Sequence, residues 1–265
     1  MTILDTIIDT KREELAAAKK AVSSARMAVL ASQSPRPRDF AGALRAKGSG
    51  APPNVIAELK KASPSKGVIR DHFAPAQLAE ELAAAGAAAL SVLTDEQYFQ
   101  GSLDNLRLAR RAVDIPIIRK DFTIDEYQIL EARANGADAI LLIAAALEPI
   151  LFKDLLDTAL DLGLGVLSEV HNQAELDMVL ATPAPIVGVN SRDLKTFNVD
   201  LGTTRRMMGL IPPERVRVAE SGVDSRENIV MLGDAGADAF LVGEHLMRDP
   251  RPGRALRKLL GAMNP

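Results

Sequence analysis

The 265-residue chain has no cysteine, no tryptophan and only three histidines. Without cysteine there is no disulfide and no thiolate metal site. His72, His171 and His245 show no metal-ligand spacing and read as loop or surface residues. No run approaches the roughly 18 apolar residues that cross a bilayer, so no membrane helix is expected. No glycine-rich dinucleotide fingerprint and no phosphate loop ending in Gly-Lys-Ser/Thr is present. The net charge is −3, which offers nucleic acid no basic footprint. Ile3, Leu4, Ile7, Ile8 and Leu15 make the N-terminus an amphipathic helix pattern. Asp5, Asp9, Glu13 and Glu14 in the same stretch argue against a signal or transit peptide. The expectation is a cytoplasmic protein with no metal, no nucleic acid and no membrane among its partners.

What is there reads as an ordinary globular protein, 47% hydrophobic and 25% charged. The length suits one large α/β barrel or two small domains. Residues 1–47 read as a helical extension, broken by Ser32-Gln33-Ser34-Pro35-Arg36-Pro37 and resumed at Asp39-Phe40. From residue 48 to 265 short apolar runs alternate with helical stretches. The runs are Val55–Lys60, Ala88–Leu93, Ile115–Lys120, Ala139–Ile143, Gly165–Glu169, Ile186–Asn190, Arg215–Glu220 and Ala239–Gly243. Strand–helix alternation implies parallel strands with right-handed crossovers, and eight units is the count of a (β/α)8 TIM barrel.

An internal echo supports that count. Ala85-Gly86-Ala87-Ala88, Asn135-Gly136-Ala137-Asp138 and Ala235-Gly236-Ala237-Asp238 each precede an apolar run. A glycine just past a helix supplies the left-handed turn into the next strand. The slot near residue 186 carries Pro183-Ala184-Pro185 instead, so the echo is imperfect.

In such a barrel the C-terminal strand ends face the substrate. The first run ends in Glu58 and Lys60, charges of opposite sign on one face of an apolar strand, followed by Ser63 and Lys66 in a turn. The second gives Ser91 and Thr94, the third Arg119-Lys120-Asp121-Phe122, the fifth Glu169. The sixth gives Asn190-Ser191-Arg192, the seventh Glu220-Ser221-Gly222, the eighth Gly243-Glu244. Polar ends on so many strands point to catalysis. Small residues at Ser221, Gly222 and Gly243 let a phosphate approach backbone N–H groups. Glu244 is compatible if its backbone N–H faces the anion and its carboxylate points to solvent.

Several of these segments together resemble the indole-3-glycerol phosphate synthase family. They are Glu58-Leu59-Lys60-Lys61-Ala62-Ser63-Pro64-Ser65-Lys66-Gly67, Leu90–Gly101, Arg119-Lys120-Asp121-Phe122, Ser168-Glu169-Val170-His171, Gly188–Leu194 and Ala219-Glu220-Ser221-Gly222. The resemblance implies cofactor-free closure of an indole ring on a small phosphorylated substrate, 1-(2-carboxyphenylamino)-1-deoxyribulose 5-phosphate. Carbon dioxide and water are released. It implies Lys120 as the acid at the ketone oxygen and Glu169 as the base. Lys60 would hold the substrate carboxylate or give a second proton, with Glu58 fixing its direction. Asn190 and Ser221 would orient sugar hydroxyls, and Arg192 would meet the carboxylate or brace Asn190 and Glu58. Phe99, Phe122, Leu142 and Leu194 would wall the aromatic ring. Ser63, Gly222, Gly243 and Glu244 would lie at the phosphate. The family places its N-terminal helices at the barrel mouth, which periodicity alone does not decide, and leaves other tryptophan-pathway enzymes as candidate partners. The alternatives are a phosphoribosylanthranilate isomerase on the same barrel and a non-catalytic phosphometabolite-binding barrel; Lys120 and Glu169 weigh against both.

Overall fold

The computed structural model describes residues 2–45, 48, 51–193 and 197–262. Eight parallel strands close into a barrel, each paired with its sequence neighbours and the first with the eighth. They are Asn54–Leu59, Ala89–Leu93, Ile117–Lys120, Ala139–Ile143, Gly165–Val170, Ile186–Asn190, Val216–Glu220 and Ala239–Val242. Nearly every strand residue is buried, because one face packs into the barrel and the other under the helices. That is why the strands read as continuous apolar runs. In the first strand Val55, Ala57 and Leu59 join the outer layer, while Ile56 joins the interior with Ala89, Ile118, Leu167 and Val218. Glu58 shares the parity of Ile56 and therefore points inward.

The outer layer is made of helices α4 (Pro75–Ala84), α5 (Leu103–Ala112), α6 (Glu126–Ala134), α7 (Pro149–Asp161), α8 (Gln173–Leu180), α9 (Leu201–Met208), α10 (Arg226–Asp234), α11 (Glu244–Arg248) and α12 (Pro252–Leu260). Gly86, Gly136 and Gly236 all have positive φ just past a helix end, as the echo requires. Gly163 does the same after α7, a fourth instance outside the Gly-Ala pattern.

Before the barrel come α1 (Ile3–Ala21), α2 (Ser24–Gln33) and α3 (Phe40–Leu44). The break between α1 and α2 is an addition to the sequence reading. Ser23 starts a new helix there by accepting the N–H of Arg26. α1 opens on a reciprocal cap, with Asp5 N–H donating to Thr2 Oγ1 at 3.2 Å and Thr2 N–H to Asp5 Oδ2 at 2.6 Å. Its Ile3, Leu4 and Ile7 reach the barrel mouth. α2 lies along α6. α3 closes the opposite pole, where Phe40 and Leu44 pack against the interior layer. Asn54 Nδ2 donates to the carbonyls of Leu44 (3.0 Å) and Arg45 (2.8 Å), tying that plug to the first strand. Among the described residues no helix is long and apolar enough to cross a membrane.

Candidate active site

The mouth holds a cavity of about 790 Å³. Its floor is a ring of inward side chains one level above the apolar interior: Glu58, Lys120, Glu169, Asn190 and Glu220. In the parallel register Asn190 lies opposite Glu220, and Glu169 lies between Ile143 and Gly188. Lys120 Nζ lies 3.1 Å from Glu169 Oε2 and 3.7 Å from Glu220 Oε2. Asn190 Nδ2 donates to Glu169 Oε1 at 3.1 Å. Lys60 Nζ sits 2.6 Å from Glu58 Oε2.

The ring needs space, and two glycines provide it. A Cβ at Gly243 would collide with Glu58 Oε2, and one at Gly188 with Glu220 Oε1. Gly243 therefore has a packing duty beyond the phosphate contact expected of it.

Burial pulls the Lys120 pKa down, but Glu169, Glu220 and Glu58 outweigh it and hold the ammonium above its ordinary value. Burial pushes Glu169 up, yet Lys120 and then His171 and Asn190 bring it well below the carboxylate range. Glu220 goes the other way. Burial and the neighbouring charge of Glu169 raise it well above that range, and Lys120 only partly offsets them. Its Oε1 is buried without a hydrogen-bond partner. One lysine thus faces two carboxylates whose pKa values are pushed in opposite directions, a division suited to acid and base work.

The rim has two kinds of lining. Phe99 and Phe122 line the cavity with ring centres 6.1 Å apart, with Ile3, Leu4 and Ile7 of α1 as further apolar lining. Ser63, Lys66, Ser221, Gly222, Gly243 and Glu244 face the same space. Ser63 and Lys66 come from a small antiparallel hairpin, Ala62–Ser63 with Gly67–Val68. Ser221 and Gly222 both have positive φ, at 58° and 69°. Ser191 Oγ supports that bend from 2.8 Å of the Glu220 carbonyl and 2.9 Å of the Ser221 carbonyl.

Three expectations need correction. Leu142 does not wall the cavity; it packs under the helices, and its neighbours Leu141 and Ile143 face inward. The strand alternates, so Leu142 shares parity with the outer layer. The Arg192 guanidinium does not brace Glu58. It donates to the Phe197 carbonyl at 3.2 Å and lies 3.9 Å from Glu244, while the Arg192 N–H donates to Asn190 Oδ1 at 3.1 Å. Nor is His171 a surface residue: its side chain is 10% exposed and its Nε2 lies 3.3 Å from Glu169 Oε1. Leu194 lies outside the described residues. The Glu244 carboxylate, expected to turn to solvent, accepts from Arg248 Nε at 2.9 Å. Glu220 was visible at a strand end, but its place in the ring needed the barrel parity. Among the described residues no three His, Asp or Glu side chains converge as a metal site.

The model of the indole-3-glycerol phosphate synthase family matches residues 4–259. The chain is 53% identical over 257 residues to the indole-3-glycerol phosphate synthase of Burkholderia ambifaria, covering 97% of this chain and 98% of that one. It is 52% identical to the enzyme of that name from Burkholderia multivorans, with the same coverage. Among solved structures it is similar to a 3-hexulose-6-phosphate synthase, with TM-score 0.63 and 17% identity over 80% of this chain and 100% of that one. A thiamine phosphate pyrophosphorylase from Pyrococcus furiosus matches with TM-score 0.58 and 15% identity, over 78% of this chain and 93% of that one. At those identities the two structures speak to the fold alone. With its family model matched almost end to end, the chain belongs to the indole-3-glycerol phosphate synthase family.

Proposed function

We propose that the chain is a carboxy-lyase of tryptophan biosynthesis, acting in the cytoplasm. It converts 1-(2-carboxyphenylamino)-1-deoxyribulose 5-phosphate into indole-3-glycerol phosphate, carbon dioxide and water. The observation that carries this reading is the contact of Lys120 with Glu169 at 3.1 Å on the floor of a cavity lined both by a pair of phenylalanine rings and by small residues at the strand ends. A phosphoribosylanthranilate isomerase or a silent binding barrel gives no reason for that pair beside the Glu58–Lys60 pair.

The ring carbon bearing the carboxylate attacks the ketone carbon. Lys120 supports the negative charge that develops on the ketone oxygen and passes it a proton. Loss of carbon dioxide restores the aromatic ring. The new hydroxyl then leaves as water, and Glu169 takes the proton from the methylene beside nitrogen, which makes the second double bond. Glu220, whose pKa is raised by burial and by Glu169, is the second proton donor, to the departing hydroxyl. Lys60 exchanges its Glu58 partner for the substrate carboxylate, and Asn190 and Ser221 orient the sugar hydroxyls. Phe99, Phe122 and α1 press the ring toward the ketone and keep water out. The phosphate takes the rim of Ser63, Gly222 and Gly243, with Arg192 and Arg248 holding the Glu244 carboxylate aside.

The test is direct. Protein mixed with the anilino-ribulose phosphate should develop indole fluorescence, against no background from tryptophan, which the chain lacks. A folded protein that gives no signal sinks the proposal.

A further inference from the structure

We propose that His171 is a positioning residue of this site: its charged imidazole, braced by Glu175, holds the oxygen of Glu169 that Lys120 leaves free. The inference rests on the reading of Glu169 as the base. Lys120 contacts Glu169 at Oε2, whereas His171 Nε2 approaches Oε1 at 3.3 Å, an ion-pair distance without hydrogen-bond alignment, beside Asn190 Nδ2, which does donate to Oε1. The other imidazole nitrogen, Nδ1, lies 3.2 Å from Glu175 Oε2. A neutral imidazole has one N–H to offer, and the cation has two. A carboxylate at each nitrogen therefore selects the cation.

Glu175 is itself fixed. Its Oε2 accepts the His171 backbone N–H at 2.7 Å. Its Oε1 accepts from Asn172 Nδ2 at 2.5 Å, and its own N–H donates to Asn172 Oδ1 at 3.0 Å. Asn172 is the cap of α8, so the helix end sets Glu175 and Glu175 sets the imidazole. Burial lowers the His171 pKa, but contact with Glu169 and Glu175 more than reverses this and raises it to about 10. The groups that face Glu169 are Lys120 from the third strand, Asn190 from the sixth, Glu220 from the seventh, and His171.

The arrangement matters when substrate binds. A ketone oxygen that draws Lys120 away takes from Glu169 its nearer positive charge. His171 keeps a second one on the opposite oxygen, so the base stays ionised and aimed while Lys120 is engaged.

Two measurements test this. The first is the pH profile of kcat for His171→Gln, His171→Ala and Glu175→Gln. His171→Gln keeps a hydrogen-bonding side chain but not the charge. Its acid-side midpoint should rise by about one unit, the usual effect of removing a nearby opposite charge. His171→Ala should show at least that shift, and Glu175→Gln a smaller one in the same direction. The second is the imidazole NMR spectrum of the ligand-free protein, in which the His171→Gln variant identifies one signal among three histidines. His171 should remain doubly protonated through about pH 8, and Glu175→Gln should lower its titration. A His171→Gln enzyme with the parental pH profile, or a His171 signal titrating at the ordinary histidine value, overturns the inference. The NMR measurement needs no turnover, so it decides the assignment even if the synthase assay is silent.

Discussion

Among the described residues two lysines sit in carboxylate clusters; one cluster forms the cavity floor, and the other touches the cavity only through Asp121. Lys11 of α1 meets Glu14 at 2.6 Å, Asp121 at 2.9 Å and Asp95 at 3.0 Å. Lys120, one residue before Asp121, meets Glu169 and Glu220, with Glu58 close enough to matter electrostatically. The ingredients are the same, but the surroundings differ. Around Lys11, Asp121 also accepts from Thr94, Arg119 and the Phe122 N–H, and Asp95 accepts from the N–H groups of Tyr98 and Phe99. Around Lys120 one carboxylate, Glu220, has its pKa raised by burial and by Glu169, and the cluster opens into 790 Å³ of space. The first cluster fixes α1 to the barrel. The second faces the open cavity, where a substrate can reach its polar groups.

This contrast can be broken by experiment. Lys120→Ala should lower kcat by about 10³ to 10⁴, the range of a positioned acid that also supports an oxyanion, without unfolding the protein. Turnover near the parental rate would remove Lys120 as the acid. Lys11→Met leaves Asp95 buried without its cation and Asp121 with Arg119 alone, and should destabilise the fold by about 3–5 kcal/mol, measured by urea unfolding. If instead it left stability intact and abolished turnover, the division between the clusters would be wrong. Gly243→Ala drives Glu58 off its position and, through it, Lys60; a displacement of that kind costs about 10² in turnover. An unchanged rate would show that the Glu58–Lys60 pair has slack.

A pH measurement sharpens the other side. Asp121 is buried, which pushes its pKa up, but Arg119 and Lys11 dominate and lower it to about 2. Its folded value lies below the unfolded one near 4, so its stabilisation is fully present above about pH 4 and is lost as pH falls through about 2. That loss should amount to about 2 kcal/mol and be missing in Asp121→Asn. The smallest effect is expected at the rim. Ser63→Ala should raise KM by about tenfold, the worth of one hydrogen bond to a charged group, with kcat nearly unchanged. An unaltered KM would exclude Ser63 from phosphate binding.

Much of this was legible in the chain. The strand positions emerge within two residues because a strand buried on both faces has to be apolar throughout, and few other elements are. Glu58, Lys60, Lys120, Glu169 and Asn190 were legible because a charge or amide ending an apolar run has no structural excuse. Leu142 was misplaced by its nearness to a strand end, although parity with Ala139 would have put Leu141 and Ile143 inside. His171 was misread because its two carboxylate partners lie two and four residues away, a spacing that carries no signal until the strand ends and the loop turns over it. The double duty of Gly243 depends on Glu58, 185 positions earlier, and no local pattern encodes a neighbour across a closed ring.

That last pairing reaches beyond catalysis. The first strand contributes Glu58, and the last contributes the gap it occupies, so the two meet only when the ring is shut. Contacts this distant in sequence form late and slowly during folding. A nascent or refolding chain can therefore carry most of its helices and most of its sheet while its chemistry is still absent. Recovery of turnover after dilution from denaturant should lag behind recovery of helical circular dichroism, and the lag measures the closing of the barrel seam.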